Sequence, residues 1–400
     1  MAQKHIEGDK KMYDTIVIKS PEIDNDTVQK IMYFCKIYEG IDIYTGEVIY
    51  HFTSGELQGS YDYRIRIKVD NTEWVKEGKI PQRVETYWHL VVECSLHKLL
   101  MNHNCFGGPC DIKKSIAYLV RFLEQVMKVS LPKYEDWEIK RVDVAKIYYF
   151  HDKSICKRIM SNLRNCYYTR RKPHIYDTTV FFPGSTTSIK IYYKGPEFEK
   201  HDYKRFKKYI LRELDKTWNK DNCDLVQHKL AIQLKYFDTV LEKAYRIIRY
   251  ECEIKVRKLK EAFEHERVLV KYLNDEVLHN IADHELYKIM KEDDKMEIVR
   301  RSDLVLERLH NIYGESLANA LYSTWVKLVQ FGEQRTRETL SRRTYYRHKK
   351  LLVEAGVSWM CTLVNLKQLS IVPDDFCFTN NKYVMDDVAP EVIEKLETVA

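Results

Sequence analysis

Ser188-Ile189-Lys190-Ile191-Tyr192-Tyr193-Lys194-Gly195 is the stretch on which the fold turns. It alternates with a period of two, as a β-strand does, because successive side chains of a strand point to opposite faces. Ile189, Ile191 and Tyr193 fall on one face, and Ser188, Lys190, Tyr192 and Lys194 on the other. A phenol set between two ammonium groups on a rigid element is suited to meet a phosphate. The same pattern also fits a partly exposed edge strand in a chain with 29 tyrosines.

Working outward, Tyr176 to Phe182 and the turn Pro183-Gly184-Ser185 complete a hairpin with this strand. Ala244 to Arg257 alternates Ile248, Tyr250, Cys252, Ile254 and Val256 against Arg249, Glu251, Glu253 and Lys255. Trp137 to Phe150 carries apolar residues on both faces and reads as a covered, central strand. Glu85 to Ser95 sets Trp88, Leu90, Val92 and Cys94 against Tyr87, His89, Val91 and Glu93. Tyr13 to Ile18, Asp42 to Phe52 and Gly59 to Val69 are further strands. Between them, Asp26 to Tyr38, the stretch from the N-cap Asp111 to Met127, Lys153 to Asn165, and the basic His201 to Asn222 read as helices. Strands interleaved with helices and hairpins predict an α+β domain on a largely antiparallel central sheet.

The chain has 400 residues and room for two or three domains. Its net charge of +7 is compatible with a polyanionic partner. No apolar run is long enough to span a bilayer, and Met1 to Lys11 lacks the apolar core of a signal peptide, so a cytoplasmic location is expected. The ten cysteines are scattered singly, without a Cys-x-x-Cys pair. Cys105 and Cys110 with His103 give a zinc site no second ligand pair, and free buried thiols fit better.

Residues 259–303 read as a charged helical connection, 304–372 as a helical domain, and 373–400 as an acidic, extended tail. In the helical domain, Ser341 is a good N-cap and Gly356 a good stop. Helical spacing sends Tyr345, Leu352 and Ala355 inward, and Arg343, Tyr346, Arg347 and Lys350 outward. A short helix at Glu333 to Thr339 precedes it. The pair has the form of a helix-turn-helix whose basic second helix enters a major groove. A solvated basic surface helix has the same pattern. The run Lys204, Arg205, Lys207, Lys208 and Arg212 is likewise either a backbone-tracking patch or a solvated face.

Five segments, in order, resemble one family. Val91-Val92-Glu93 and Asn102-His103-Asn104-Cys105-Phe106-Gly107 resemble the "VEI…GHNVFG" block of filamentous-phage gene II and gene X type replication initiation proteins. Lys140-Arg141-Val142-Asp143 resembles their "SRID" strand, and Ile191-Tyr192-Tyr193-Lys194 the strand that carries their nicking tyrosine. Arg249-Tyr250-Glu251-Cys252-Glu253-Ile254-Lys255 resembles "RFEARIK". Thr344-Tyr345-Tyr346-Arg347 through Gly356-Val357 resembles the helix "SFWRYVSALVECGI". Plasmid rolling-circle initiators share the Arg-x-Asp and Tyr-x-Lys strands.

The resemblance implies a rolling-circle initiator of the HUH-endonuclease type, with a Rep-type nicking domain over residues 12–258. Such a protein nicks one strand at an origin, becomes linked to the 5′ phosphate and leaves a 3′ hydroxyl primer. The His-hydrophobe-His triplet of that superfamily is absent, so a Mg²⁺ or Mn²⁺ site would be built largely from carboxylates. The roles implied are Tyr192 as nucleophile, Lys194 on the phosphate or phenolate, and Glu93, Asp143 and Glu251 as metal ligands, with His89 or His103 completing the shell. Alternation favours Tyr192 over Tyr193. Lys190 and Lys194 are expected to favour the phenolate. Asp143 also suits an ion pair with Arg141, and Glu251 a surface pair with Arg249 or Lys255. Arg342, Arg343, Tyr346, Arg347 and Lys350 are the implied duplex contacts. Partners implied are origin DNA, both duplex and single-stranded, and a host helicase and polymerase. A mobilisation nickase of the relaxase kind, or a non-catalytic DNA-binding regulator with this fold, are the alternatives.

Overall fold

A computed structural model describes residues 11–41, 44–45, 48–58, 64–75, 82–163, 171–217, 223–290, 302–359, 373, 376, 378, 381–385 and 387–399. The strands are β1 (Met12–Lys19), β2 (Lys36–Ile41), β3 (Val48–Gln58), β4 (Arg64–Val75), β5 (Gln82–Ser95), β6 (Glu138–Tyr149), β7 (His174–Ile175), β8 (Thr179–Phe182), β9 (Thr187–Tyr193) and β10 (Ile247–Lys255). Among the described residues they form one sheet, ordered β2-β3-β4-β5-β1-β6-β10-β9-β8-β7. Every neighbouring pair is antiparallel. The opening stretch therefore lies inside the sheet, between β10 and β8, and is not an edge.

One face of the sheet is apolar. Ile65, Ile67 and Val69 of β4, Leu90, Val92 and Cys94 of β5, Ile189, Ile191 and Tyr193 of β9, and Tyr250, Cys252 and Ile254 of β10 are all buried in a single core. That core is closed by helices α1 (Asn25–Met32), α3 (Ile112–Met127), α4 (Lys153–Leu163) and α9 (Asp275–Met290), α2 being the short Leu96–Met101. Asp111 caps α3 as expected, its carboxylate accepting from the Lys114 amide at 2.9 Å. The residues between the buried ones belong to the opposite face. Arg66, Lys68, Val91, Glu93, Arg141, Lys190, Glu251, Glu253 and Lys255 all retain solvent exposure. An antiparallel sheet with one packed and one wetted face gives this alternation.

Several expectations are corrected. Helix α1 ends at Met32, not Tyr38; the chain turns at Phe34 and Cys35 and enters β2, whose β-branched and aromatic residues suit a strand. The basic helix of His201 to Asn222 is a π-helical turn (Glu199–Tyr203) followed by α6 (Lys204–Thr217), with residues 218–222 outside the described ones. Between Tyr193 and that turn lies α5 (Lys194–Phe198). Helix α7 (Cys223–Ala244) then packs on α6 through Phe206, Ile210, Phe237 and Val240. The expected connection after residue 258 is part of the first core. Helix α8 (Val256–Phe263) contributes Leu259, and α9 contributes Leu278, Ile281, Ala282 and Leu286.

The C-terminal helices have a core of their own, around Leu309, Leu321, Trp325, Tyr345 and Leu352. They are α10 (Ser302–Tyr313), α11 (Glu315–Glu338) and α12 (Arg342–Glu354). Residues 360–372 of the expected helical domain lie outside the described ones. The tail is not simply extended. Phe376 and Phe378 are buried in the first core, and α13 (Pro390–Glu397) packs Val392 and Leu396 against Leu100 and Met101 of α2.

Candidate active site

The wetted face of the sheet holds a cavity of about 350 Å³. Asp14 of β1, Glu93 of β5, Asp143 of β6, Tyr192 of β9 and Glu251 of β10 all line it. The register explains the convergence. Val17 sits between Glu93 and Arg141, Asp143 pairs with Glu253, and Glu251 pairs with Lys190, all on one face. The residues singled out from four separated strands are thus brought together. Cations Arg66, Lys98, Arg141 and Lys190 line the same space.

Tyr192 points its hydroxyl towards Glu251, donating to Oε1 at 2.6 Å. Tyr193 faces the core instead and donates to the Tyr245 carbonyl at 2.9 Å. The face argument for Tyr192 therefore agrees with the fold. The electrostatic argument does not. Burial first, and the Glu251 carboxylate next, push the Tyr192 phenol well above its usual range, against the pull of Arg249. Lys190 Nζ lies 4.5 Å from the centroid of the Tyr192 ring and Lys194 Nζ 5.7 Å, so both face the ring as cations over a π-system. The hydroxyl is protonated, and its proton is already held by a carboxylate.

Lys194 departs furthest from the expectation that it shares the face of Tyr192. The strand ends at Tyr193, and α5 begins at Lys194. The side chain turns inward and is fully buried. It donates to Asn104 Oδ1 at 2.6 Å and to Glu197. Burial, the largest influence, disfavours its charge, but Glu197 with Cys105 and Asp202 together outweigh it and keep the ammonium pKa above its ordinary value.

Glu93, Asp143 and Glu251 do not fit a divalent ion as they stand. Arg141 grips Asp143 with two donors, Nε at 2.8 Å and Nη2 at 2.5 Å. Glu93 is shared by Arg66 and Arg141 at 3.4 Å each. Glu251 accepts from Arg249 Nε at 2.7 Å as well as from Tyr192. Among the described residues no group of three or more His, Cys, Asp or Glu side chains stands close enough to hold a metal. The carboxylates are neutralised by guanidinium groups, the ion-pair alternative that spacing left open for Asp143. Even so, burial pushes the Asp143 carboxyl up to about 7, against the pull of Arg141.

Beneath the cavity lies a buried network of which sequence reading gave only the pair of Glu251 with Arg249, placed there at the surface. Arg249 is fully buried and bonds Asp14 Oδ2 at 2.7 Å, Glu251, and the Asn104 carbonyl. Asp14 also accepts from Asn104 Nδ2 at 2.9 Å and from Ser95. Burial alone would raise the Asp14 carboxyl; Arg249, with help from His97 and the hydrogen bonds of Ser95 and Asn104, holds it far below the usual range. A signal existed. Asp14 stands in a mostly apolar strand, and a buried carboxylate needs a partner.

The two histidines offered for the shell do not reach the cavity wall. His103 is fully buried against Phe106, Tyr236 and Phe237, with Nε2 3.0 Å from the Tyr236 hydroxyl. His89 is buried further along β5, with Nδ1 3.1 Å from the Tyr87 carbonyl. Cys105 is buried beside His103 in the α6–α7 core.

The nucleic-acid candidates lie elsewhere. Arg342, Arg343, Tyr346, Arg347 and Lys350 are exposed on α12, while Tyr345, His348 and Leu352 are buried. Helix α11 breaks at Gly332, so that a short helical piece precedes α12 as expected. Lys204, Arg205, Lys207, Lys208 and Arg212 are exposed on α6.

A family model for the N-terminal domain of the phage replication-associated gene II protein matches residues 12–273, well over half of the chain and the whole of the sheet. No curated protein and no solved structure matches the chain.

Proposed function

The chain belongs to the gene II protein family of phage replication-associated proteins, and from that premise we propose that it initiates rolling-circle replication by nicking one strand of origin DNA through Tyr192. The observation that carries this reading is the hydrogen bond from Tyr192 to Glu251 at 2.6 Å on the wall of the cavity. A phenol is a weak nucleophile at neutral pH until a base takes its proton. Glu251 is within reach to do so, and Arg249 fixes the carboxylate at 2.7 Å.

The step is a transesterification. The Tyr192 oxygen forms a bond to phosphorus as the bond from phosphorus to the 3′ oxygen breaks. The phenol proton passes to Glu251, and the departing 3′ oxygen takes a proton from water to become the primer hydroxyl. Arg66, Arg141 and Lys190 stand where a phosphate entering the cavity gathers charge. The 5′-phosphotyrosine conserves the energy of the broken bond, as later rejoining requires. The exposed basic residues of α12 supply duplex affinity, in the manner of a helix-turn-helix.

The test is nicking of a supercoiled plasmid carrying the cognate origin, with and without Mn²⁺. Wild type converts it to open circles with protein on the 5′ end. Tyr192→Phe forms no linkage. Glu251→Gln slows nicking about 10²- to 10⁴-fold, the usual weight of a general base, with DNA affinity retained. A linkage formed by Tyr192→Phe would remove Tyr192 from the mechanism. A wild type that binds the origin and never links to it would favour a DNA-binding regulator. A relaxase-type nickase gives the same linkage and differs only in the DNA it serves.

A further inference from the structure

The face of the sheet that carries the cavity continues beyond it. From Glu93 the same face of β5 runs through Val91 and His89 to Tyr87, about 20 Å at strand spacing. Alongside, β4 presents Arg66, Lys68 and Asp70, and β1 presents Lys19 opposite Val91. From Val91 onward Lys19, Lys68, Lys140 and Arg267 gather around Asp70 and Glu138. Lys140 Nζ is 2.6 Å from Glu138 Oε1, and Arg267 Nε is 3.7 Å from Oε2 of the same carboxylate. Arg267 also donates to the Tyr87 hydroxyl at 3.0 Å. Lys19 Nζ sits 5.8 Å from the centroid of the Tyr87 ring.

The Arg267 side chain is 56% exposed and Tyr87 37% exposed, so the group is open to solvent at its rim. Lys19 is recessed at its floor, only 3% exposed. A recessed ammonium, a rim of longer cations and an upright aromatic ring match an unpaired strand better than a duplex. The phosphate of a single strand can reach down to the floor while its base lies on the ring. Burial and the neighbouring Lys140 bring the Lys19 pKa down to about 8, as expected of a cation that gains from an anion.

We propose that Lys19, Lys140, Arg267 and Tyr87 form a single-stranded DNA subsite that holds the strand whose scissile phosphate occupies the Tyr192 cavity. The placement rests on the nicking reading of that cavity. The 20 Å from Glu93, on the cavity wall, to Tyr87 corresponds to about six stacked nucleotides at about 3.4 Å each, and fewer when the strand is drawn out. The subsite gives affinity and direction to the entering strand and takes no part in bond breaking.

The full-length protein is titrated with fluorescent oligothymidylates of about four and about twelve nucleotides, by anisotropy at several salt concentrations. Wild type should bind the longer strand more tightly and with a steeper salt dependence. Arg267→Ala and Lys19→Gln should each lower that slope by about 0.7, one phosphate contact on a single strand. Tyr87→Leu should weaken the longer strand roughly 5- to 150-fold, the weight of one stacked base. Binding of the short strand should not change, and that also reports correct folding of each variant. Variants that keep the full advantage of the longer strand would overturn the subsite. Formation of the 5′ linkage on an origin plasmid, measured on the same variants, separates the two readings. Linkage without a cluster-dependent gain sinks the subsite alone. A cluster-dependent gain without linkage in wild type sinks the nicking reading and leaves a strand-binding surface.

Discussion

Arg249 is the residue around which the candidate site is built. Its guanidinium is fully buried, and two carboxylates and a carbonyl hold it there. Removing one partner of such a group leaves the other buried without compensation, which costs about 3–5 kcal/mol. Arg249→Met should lose about that much stability in urea denaturation, since Asp14 is then stranded. Adding Asp14→Asn should recover part of the loss, so the double variant costs less than the two singles together. Additive losses would mean that the two do not act as a pair. Arg141 permits a different experiment. It holds Asp143 and Glu93 and lies 3.6 Å from Glu253, so a divalent ion must displace it to reach them. Calorimetric titration of the DNA-free wild type with Mn²⁺ should therefore show weak binding. Arg141→Met removes the cation that holds Glu93, Asp143 and Glu253 apart, so that they can turn towards an ion, and should bind it at least about tenfold more tightly, about 1.4 kcal/mol. Tight binding to wild type would show that the carboxylates rearrange readily around a metal.

Much of the fold was legible at the level of the element. Strands β1, β5, β6, β9 and β10 were readable because each alternates or is apolar throughout, and that pattern is local. The choice of Tyr192 over Tyr193 was readable for the same reason. What alternation cannot supply is where a strand stops. Extending the period one residue too far put Lys194 on the wetted face, whereas the onset of α5 turns it inward. The partners of Asp14 and Asn104 were hidden because they come from β10 and α5, far along the chain. The break at Gly332 is the element on which the C-terminal unit depends. Its φ of 74° and ψ of 174° lie in a region essentially reserved for glycine. The break sets Glu333 to receive Lys349 at 2.7 Å and the Trp359 indole at 3.2 Å. Gly332→Ala should cost about 1–3 kcal/mol by backbone strain. It should lower the melting temperature of the helical unit and weaken duplex binding, while oligothymidylate binding is kept. An unchanged melt would mean that the helix straightens at no cost.

At the scale of the molecule, the chain leaves the first core after α9, builds the helical unit from α10 to α12, and comes back. Phe376 and Phe378 pack edge-on against Tyr148, whose hydroxyl donates to the Phe378 carbonyl at 2.7 Å. Further on, the Ala389 amide donates to the Gly107 carbonyl at 3.0 Å, and Lys395 reaches the Leu100 carbonyl. These contacts brace α2 and the loop after it, and that loop carries Asn104 to Asp14 and Lys194. The last residues therefore support the site without lining it. Phe378→Ala should cost about 3–5 kcal/mol, because a buried ring leaves a void that the surroundings fill only in part. Ala389→Pro removes the amide that meets Gly107 and sets its ring against that carbonyl. It should lower the unfolding free energy measured in urea by more than about 1 kcal/mol, the lost hydrogen bond and the crowded ring together, and slow nicking, since Asn104 loses its brace. If Ala389→Pro nicks at the wild-type rate with the loop contact gone, the returning segment contributes stability and nothing to the positioning of the site.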